Sequence, residues 1–246
     1  LGPVINLLRQ SRPTTIELLD EKTLKLAHRA ASAVHINRQR PPAFLLLTQF
    51  TGYQAVAVSN STTHAQAATE ALGIATRRVE SEIEAEAYWN IRRDSFYALR
   101  HNVPNKQALA FIDDLIVPPD QLTEFLKRLS VILDDYQNLR YSIVGHAGDA
   151  NLHIIPLMDL HDVSERELIP IIADRVYSLA LGLGGSLSAE HNDGLIRGPY
   201  LNRMYSPKLM GLFRAVKQVF DPTGIFNPYK KIEATHAYSA QHIKHY

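Results

Sequence analysis

Apolar and polar positions along this chain change period several times, and each change marks an element. Residues 43–51 form a β-rich apolar run, and 61–72 follow as a helix. Residues 80–100 predict a longer helix, acidic where it starts and basic where it ends, which suits the helix dipole. Residues 108–117 read as a strand stopped at Pro118-Pro119. Residues 120–136 then place Leu122, Phe125, Leu126, Leu129, Ile132 and Leu133 on one stripe, the mark of an amphipathic helix. Two short apolar strands, 141–146 and 152–157, flank the turn-forming Gly148-Asp149-Ala150-Asn151 and predict a hairpin. The run 168–183 is broken by Asp174 and Arg175, so the helix predicted over 164–181 is a core helix rather than a membrane span. A last helix covers 206–220 and closes at Asp221-Pro222. Residues 3–15 show no clear periodicity, and the tail after Ile232 reads as poorly anchored.

Strands and helices alternate without low-complexity linkers, which predicts an α+β fold: an antiparallel sheet with helices on one face. Strand–helix–strand units around 43–80 and 108–147 point to a duplicated ferredoxin-like plan. At 246 residues the chain is long enough to bury a sizeable core. A formal net charge of +1 gives no support for nucleic acid or strongly anionic partners. The absence of cysteine excludes disulfides and iron–sulfur clusters within this piece and fits a cytoplasmic location. No signal peptide or bilayer-length apolar run is visible.

Four residues carry candidate chemistry. His146 and His153 stand in Val144-Gly-His-Ala-Gly-Asp-Ala-Asn-Leu-His153, and Glu190 and His191 end Gly184-Gly-Ser-Leu-Ser-Ala-Glu-His191. Two imidazoles and a carboxylate close three corners of a divalent metal site and leave the rest open. The predicted hairpin brings both histidines to one end of a sheet, and Glu190 comes from a glycine-marked loop after a helix. Taken singly, each fits a half-buried strand histidine or a solvated turn; taken together they favour a site. Asp149 and Asn151 either orient the histidines or simply form the turn. His64 and His101 read as surface residues, and His236, His242 and His245 as part of an exposed, disordered tail.

Three blocks of sequence, in order, resemble the C-terminal domain of FAD-linked oxidases. They are Gly145-His-Ala-Gly-Asp-Ala-Asn-Leu-His153, Ser188-Ala-Glu-His191 and Phe220-Asp-Pro-Thr-Gly-Ile-Phe-Asn-Pro-Tyr-Lys230. Weaker similarity lies in Ala43-Phe-Leu-Leu-Leu-Thr-Gln-Phe50, Trp89-Asn-Ile-Arg-Arg93 and Asp113-Asp-Leu-Ile-Val-Pro118. The family includes D-lactate dehydrogenases, the glycolate oxidase flavoprotein subunit and D-2-hydroxyglutarate dehydrogenase. The resemblance implies a cap or substrate domain over residues 1–198 and a C-terminal helical segment, 199–246, packing toward a flavin-binding domain. Nothing here supplies that domain's glycine-rich pyrophosphate loop, and the chain opens at Leu1-Gly-Pro without Met. The chain is therefore read as the substrate-side half of a larger enzyme, cut or encoded separately from its FAD domain or subunit, with homo-oligomers an option.

The implied activity is flavin-dependent oxidation of a 2-hydroxy acid such as D-lactate or glycolate. His146, His153 and Glu190 would hold zinc or manganese, and His191 would be the general base. Arg92, with Arg93 as rival, would bind the substrate carboxylate. Asn227 and Lys230 would approach the FAD ring, although Asn227-Pro228 also fits a plain turn. Some residues depart from the family pattern. Ala150 replaces a usual glycine, Ala189 and Asn192 flank Glu-His in place of glycines, and Arg197 stands where lysine is frequent. Asp193-Gly194 is closer to larger members that carry an added iron–sulfur region. Phe111-Ile112 offers no lysine for a distal carboxylate, which counts against a long dicarboxylate. Two other readings stand beside this one: a non-catalytic metal- or carboxylate-binding module that keeps the fold, and a metal-dependent hydrolase.

Overall fold

A computed structural model describes residues 1–26, 34, 36, 37, 40–101 and 103–243. The first half contains α1 (Gly2–Gln10), β1 (Thr15–Asp20), α2 (Glu21–Leu26), β2 (Phe44–Gln49), α3 (Ala55–Glu70) and α4 (Glu82–His101). The second half contains β3 (Gln107–Ala108), β4 (Ile112–Ile116), α5 (Leu122–Asp134), β5 (Arg140–His146), β6 (Asn151–Met158) and α6 (Val163–Gly182). The chain ends in α7 (Leu201–Met204), α8 (Pro207–Phe220) and α9 (His236–Gln241).

Among the described residues all strand pairs are antiparallel, so the expected α+β class with an antiparallel sheet stands. The order is β2-β1-β5-β6, with β3 and β4 both paired to the far side of β6. The predicted hairpin is the β5–β6 pair. The ferredoxin-like plan is visible over β4–α5–β5–β6–α6, where Ser186 bridges Ile116 on the outer side of β4 as a vestigial fourth strand. Around residues 43–80 the structure gives β2 and α3 and pairs β2 with the upstream strand β1.

Neither α1 nor β1 shows in the sequence pattern. α1 is only nine residues long, and its Val4, Ile5 and Leu8 share one buried helical face that is lost when the whole stretch 3–15 is read together. In β1, five successive residues, Ile16 to Asp20, are buried, so the inside–outside alternation of a half-exposed strand is lost. Its two faces feed different cores. Ile16 and Leu18 join Ile112, Leu129, Ile154 and Tyr177 in a large core reached by α1, α5 and α6. Leu19 instead packs with Leu24, Tyr88 and Ile91 of α2 and α4. Helices therefore lie on both faces of the sheet rather than on the one expected, because β1 is buried from both sides, and α4 partly roofs the second face. Its stripe of Tyr88, Ile91, Ser95 and Leu99 recurs at helical spacing, and Leu99 packs with Ile155 and Leu157 of β6.

The described part of the tail after Ile232 is better anchored than expected. The Ser239 hydroxyl donates to the Leu195 carbonyl at 2.6 Å, and the His236 ring meets Tyr200 edge-on at 4.7 Å. His242 Nδ1 bonds the Tyr238 carbonyl at 2.7 Å, while His245 lies outside the described residues. His64 and His101 are exposed, as expected. Among the described residues, no helix is long and apolar enough to cross a membrane.

Candidate active site

Antiparallel pairing puts Glu17 of β1 directly opposite His146 of β5, and Val144 opposite His153 of β6. Side-chain alternation then points Glu17, His146 and His153 to the face that α4 partly roofs. His146 Nδ1 bonds Glu17 Oε1 at 2.6 Å, and Arg92 Nε of α4 donates to Glu17 Oε2 at 2.8 Å. His153 Nδ1 bonds Asp113 Oδ1 at 2.7 Å, and His191 Nδ1 bonds Asp113 Oδ2 at 3.0 Å. An ionised carboxylate only accepts, so each Nδ1 carries its hydrogen and each Nε2 turns inward. The three Nε2 atoms close on one oxygen. Glu190 Oε1 lies 3.1 Å from His146, 3.3 Å from His153 and 3.2 Å from His191.

Burial alone would raise the Glu17 pKa, but hydrogen bonds and charge from His146 and Arg92 bring it below its usual 4.5. Burial likewise opposes ionisation of Asp113, and His153 and His191 outweigh it. The Glu17 hydrogen bond in turn raises His146 above 6.5. Each imidazole is thus clamped by a carboxylate that stays charged.

Local backbone geometry explains how four separate segments meet. Between Ile112 and Leu115 the β4–β6 register shifts, and Asp114 sits at φ 65°, a left-handed conformation that aspartate tolerates better than most residues. The bulge sends Asp113 to the histidines and turns Asp114 toward the loop after α6. Fully buried, Asp114 accepts backbone N–H groups from Ala189 at 2.8 Å, Glu190 at 3.1 Å and His191 at 2.9 Å. Asn151 Nδ2 adds a bond at 3.0 Å and the Ser188 hydroxyl one at 3.2 Å. Burial pushes its pKa up, but these donors hold it at about 2. Buried Arg197 clamps the other side of the loop, donating to the Asn192 carbonyl at 2.9 Å and the Asp113 carbonyl at 3.1 Å.

Gly145 is needed where the hairpin tightens. Its φ is 152°, and a Cβ there would lie 2.5 Å from the Asn151 carbonyl oxygen. Gly145→Ala should therefore destabilise the protein by roughly 2 kcal/mol or more, read as a lower denaturant midpoint. Ala150, where the family pattern has glycine, takes φ 56° in the same turn.

Of the sequence-predicted residues, His146, His153, Glu190 and His191 come together, and Arg92 joins them in lining one cavity of about 400 Å³. Arg93 instead pairs with Glu86 on the exposed side of α4. Asn227 and Lys230 are exposed and do not line the cavity. Their segment is nonetheless tied next to the site, because Lys231 N donates to the Gly194 carbonyl at 3.1 Å and Lys231 Nζ pairs with Asp193 at 2.7 Å. Asn151 serves Asp114 rather than a histidine, and the orienting carboxylates are Glu17 and Asp113. Sequence reasoning missed Glu17, Asp113 and Asp114 as site residues. The available signal was an ionisable residue within an apolar strand, in Ile16-Glu-Leu-Leu19 and Phe111-Ile-Asp-Asp-Leu-Ile116. A second cavity of about 400 Å³, beside α3, is lined by Phe50, Ser59, Thr62 and Arg78 and holds no comparable cluster.

The family described as FAD linked oxidases, C-terminal domain, matches residues 3–231. D-2-hydroxyglutarate dehydrogenase of Pseudomonas putida (strain KT2440) is 28% identical over 235 residues, covering 92% of this chain and 23% of that protein. Glycolate oxidase subunit GlcD of Bacillus subtilis (strain 168) is 27% identical over 226 residues, covering 89% of this chain and 45% of that one. D-lactate dehydrogenase of Anaerostipes hadrus is 36% identical over 118 residues, covering 48% of this chain and 25% of that one. This chain thus spans less than half the length of each of these relatives. Among solved structures, 4-ethylphenol oxidase from Gulosibacter chungangensis, in an isoeugenol complex, shares the fold. Its TM-score is 0.64 at 14% identity, covering 97% of this chain and 52% of that one.

Proposed function

The chain belongs to the C-terminal domain family of the FAD-linked oxidases, and from that premise we propose that it is the substrate- and metal-binding part of a flavin-dependent enzyme oxidising a 2-hydroxy acid. The observation that carries this reading is the meeting of three imidazole Nε2 atoms at Glu190 Oε1. With each Nδ1–H given to a carboxylate, neutral rings would aim three lone pairs at a negatively charged oxygen. Protonating all three would instead crowd three positive charges together. A divalent cation relieves both conflicts. Ligand atoms of His146, His153 and Glu190 lie within 4.8 Å of one another, and the donor set suits zinc or manganese. Carboxylates behind metal-binding histidines are the expected support for such a site.

Held by His146, His153 and Glu190, a divalent ion would supply Lewis acidity to lower the pKa of a substrate hydroxyl. FAD would supply the hydride acceptor. This chain's own side chains bind, orient and take up the proton. Arg92 holds the substrate carboxylate. Its Nε is fixed on Glu17, while Nη1 and Nη2 make no hydrogen bond among the described residues and are left for a bidentate contact. His191 accepts the hydroxyl proton at Nε2, with its ring fixed through Nδ1 on Asp113 and stacked 5.0 Å from His153.

Residues 199–246 are assigned to the flavin side. Val216, Val219 and Phe220 of α8, with Ile225, Phe226 and Tyr229 beyond it, expose an apolar face suited to an FAD-binding domain. Asn227 and Lys230 lie on that segment and are proposed to approach the flavin. Elemental analysis of the purified, tag-free protein tests the metal site. Near-stoichiometric zinc or manganese is expected, and both His146→Ala and Glu190→Ala should lose it. A wild-type protein that takes up neither metal on addition would overturn the metal reading and favour a non-catalytic module.

A further inference from the structure

We infer that the cavity selects a 2-hydroxy acid with one carboxylate and an apolar side chain and discriminates against dicarboxylates, an inference that rests on the reading above. The cavity has a chemically active end and an apolar end. Arg92, His191 and Glu190 gather around the point where a hydroxyl and its neighbouring carboxylate would sit. Away from that point the floor changes character. Val144 is the cross-strand partner of His153, and Ile155 is the next residue of β6 on the same face. Phe96 faces them from α4. A side chain attached to the reacting carbon would therefore run over valine, isoleucine and phenylalanine.

Charge decides against a second carboxylate. Among the described residues lining the cavity, Arg92 is the one permanent cation, and its Nε is already spent on Glu17. Its two remaining nitrogens suffice for one carboxylate fork. Asp113 and Glu190 add negative charge to the same lining. A distal carboxylate, as in D-2-hydroxyglutarate, would face the apolar wall with no cation from the described residues to meet it, and setting an unpaired charge against an apolar wall is disfavoured. An isopropyl or methyl group would instead bury apolar surface there.

The zinc-loaded 246-residue chain should be titrated calorimetrically with D-lactate, D-2-hydroxyisovalerate and D-2-hydroxyglutarate. The two monocarboxylates should bind roughly tenfold or more tightly than D-2-hydroxyglutarate. Phe96 is 37% exposed and so tolerates replacement. Phe96→Lys, which puts an ammonium at the cavity lip, should raise D-2-hydroxyglutarate binding and narrow or reverse that ratio. Arg92→Met should weaken all three ligands. D-2-hydroxyglutarate binding wild type as tightly as the monocarboxylates would overturn the selectivity and leave the 2-hydroxy-acid reading intact. A ratio unchanged by a folded Phe96→Lys protein would overturn the placement of the side chain. No binding of any of the three to zinc-loaded protein would overturn the 2-hydroxy-acid reading itself, and the selectivity with it.

Discussion

Asp114→Ala should destabilise the protein by roughly 3 to 5 kcal/mol, since it strands several buried donors at once. The carboxylate accepts three successive backbone N–H groups, those of Ala189, Glu190 and His191, together with Asn151 and Ser188. No other acceptor is bonded to those three N–H groups among the described residues. Losing it frees the segment that presents both Glu190 and His191. The stability loss should therefore come with loss of metal binding, although Asp114 is not itself a proposed ligand. The same group makes stability depend on acid. Its folded pKa of about 2 lies below the ordinary 3.8, so the ionised form favours the folded state. The contribution is complete above pH 3.8, fades as pH falls toward 2, and amounts to roughly 2 kcal/mol. Urea unfolding at a series of pH values from 5 to 2 should show a shallower loss in Asp114→Asn than in wild type. Equal slopes would show that Asp114 is not the group being titrated.

What the sequence makes legible follows from physical period. The β5–β6 hairpin could be read because two apolar strands border a turn of strong turn formers, and α5 could be read because its six apolar positions fall on one stripe. The Glu190-His191 loop could be placed after a helix because glycines mark its start. Gly184 takes φ 76° past the end of α6, and a Cβ on Gly185 would sit 2.3 Å from the Ile116 carbonyl oxygen. β1 was invisible for the opposite reason: burial on both faces erases the alternation that announces a strand. With β1 went Glu17, the carboxylate that orients His146 and holds Arg92. The bulge at Asp113-Asp114 could not be read either. A one-residue shift in pairing leaves no periodic trace, and yet it decides which of the two aspartates faces the histidines and which faces the loop.

The two aspartates should consequently fail in different ways. Asp113→Asn keeps the size and position of the side chain, but one oxygen becomes an NH₂ group that can only donate. Asp113 now accepts Nδ1–H from His153 on one oxygen and from His191 on the other. An asparagine serves only one of them. The other ring must give up its bond or move its hydrogen to Nε2, the atom that faces Glu190. A ring protonated at Nε2 offers no lone pair to a metal and cannot take a proton from a substrate. Where the displaced ring is the ligand His153, zinc affinity should fall by roughly 10- to 100-fold, the usual effect of removing a carboxylate behind a metal ligand; where it is His191, affinity is kept and the tautomer of the base changes. The fold itself should be largely retained, because the Asp114 bonds to the loop are untouched. Glu17→Gln makes the informative comparison, since of the three imidazoles it touches His146 alone. Competitive zinc titration of the two variants, with imidazole nitrogen spectra to read the tautomers, checks this. Asp113→Asn should alter His153 or His191 and leave His146 as it was, and Glu17→Gln should do the reverse. Wild-type affinity and unchanged tautomers in Asp113→Asn would mean that the shared carboxylate does not set the protons on these rings.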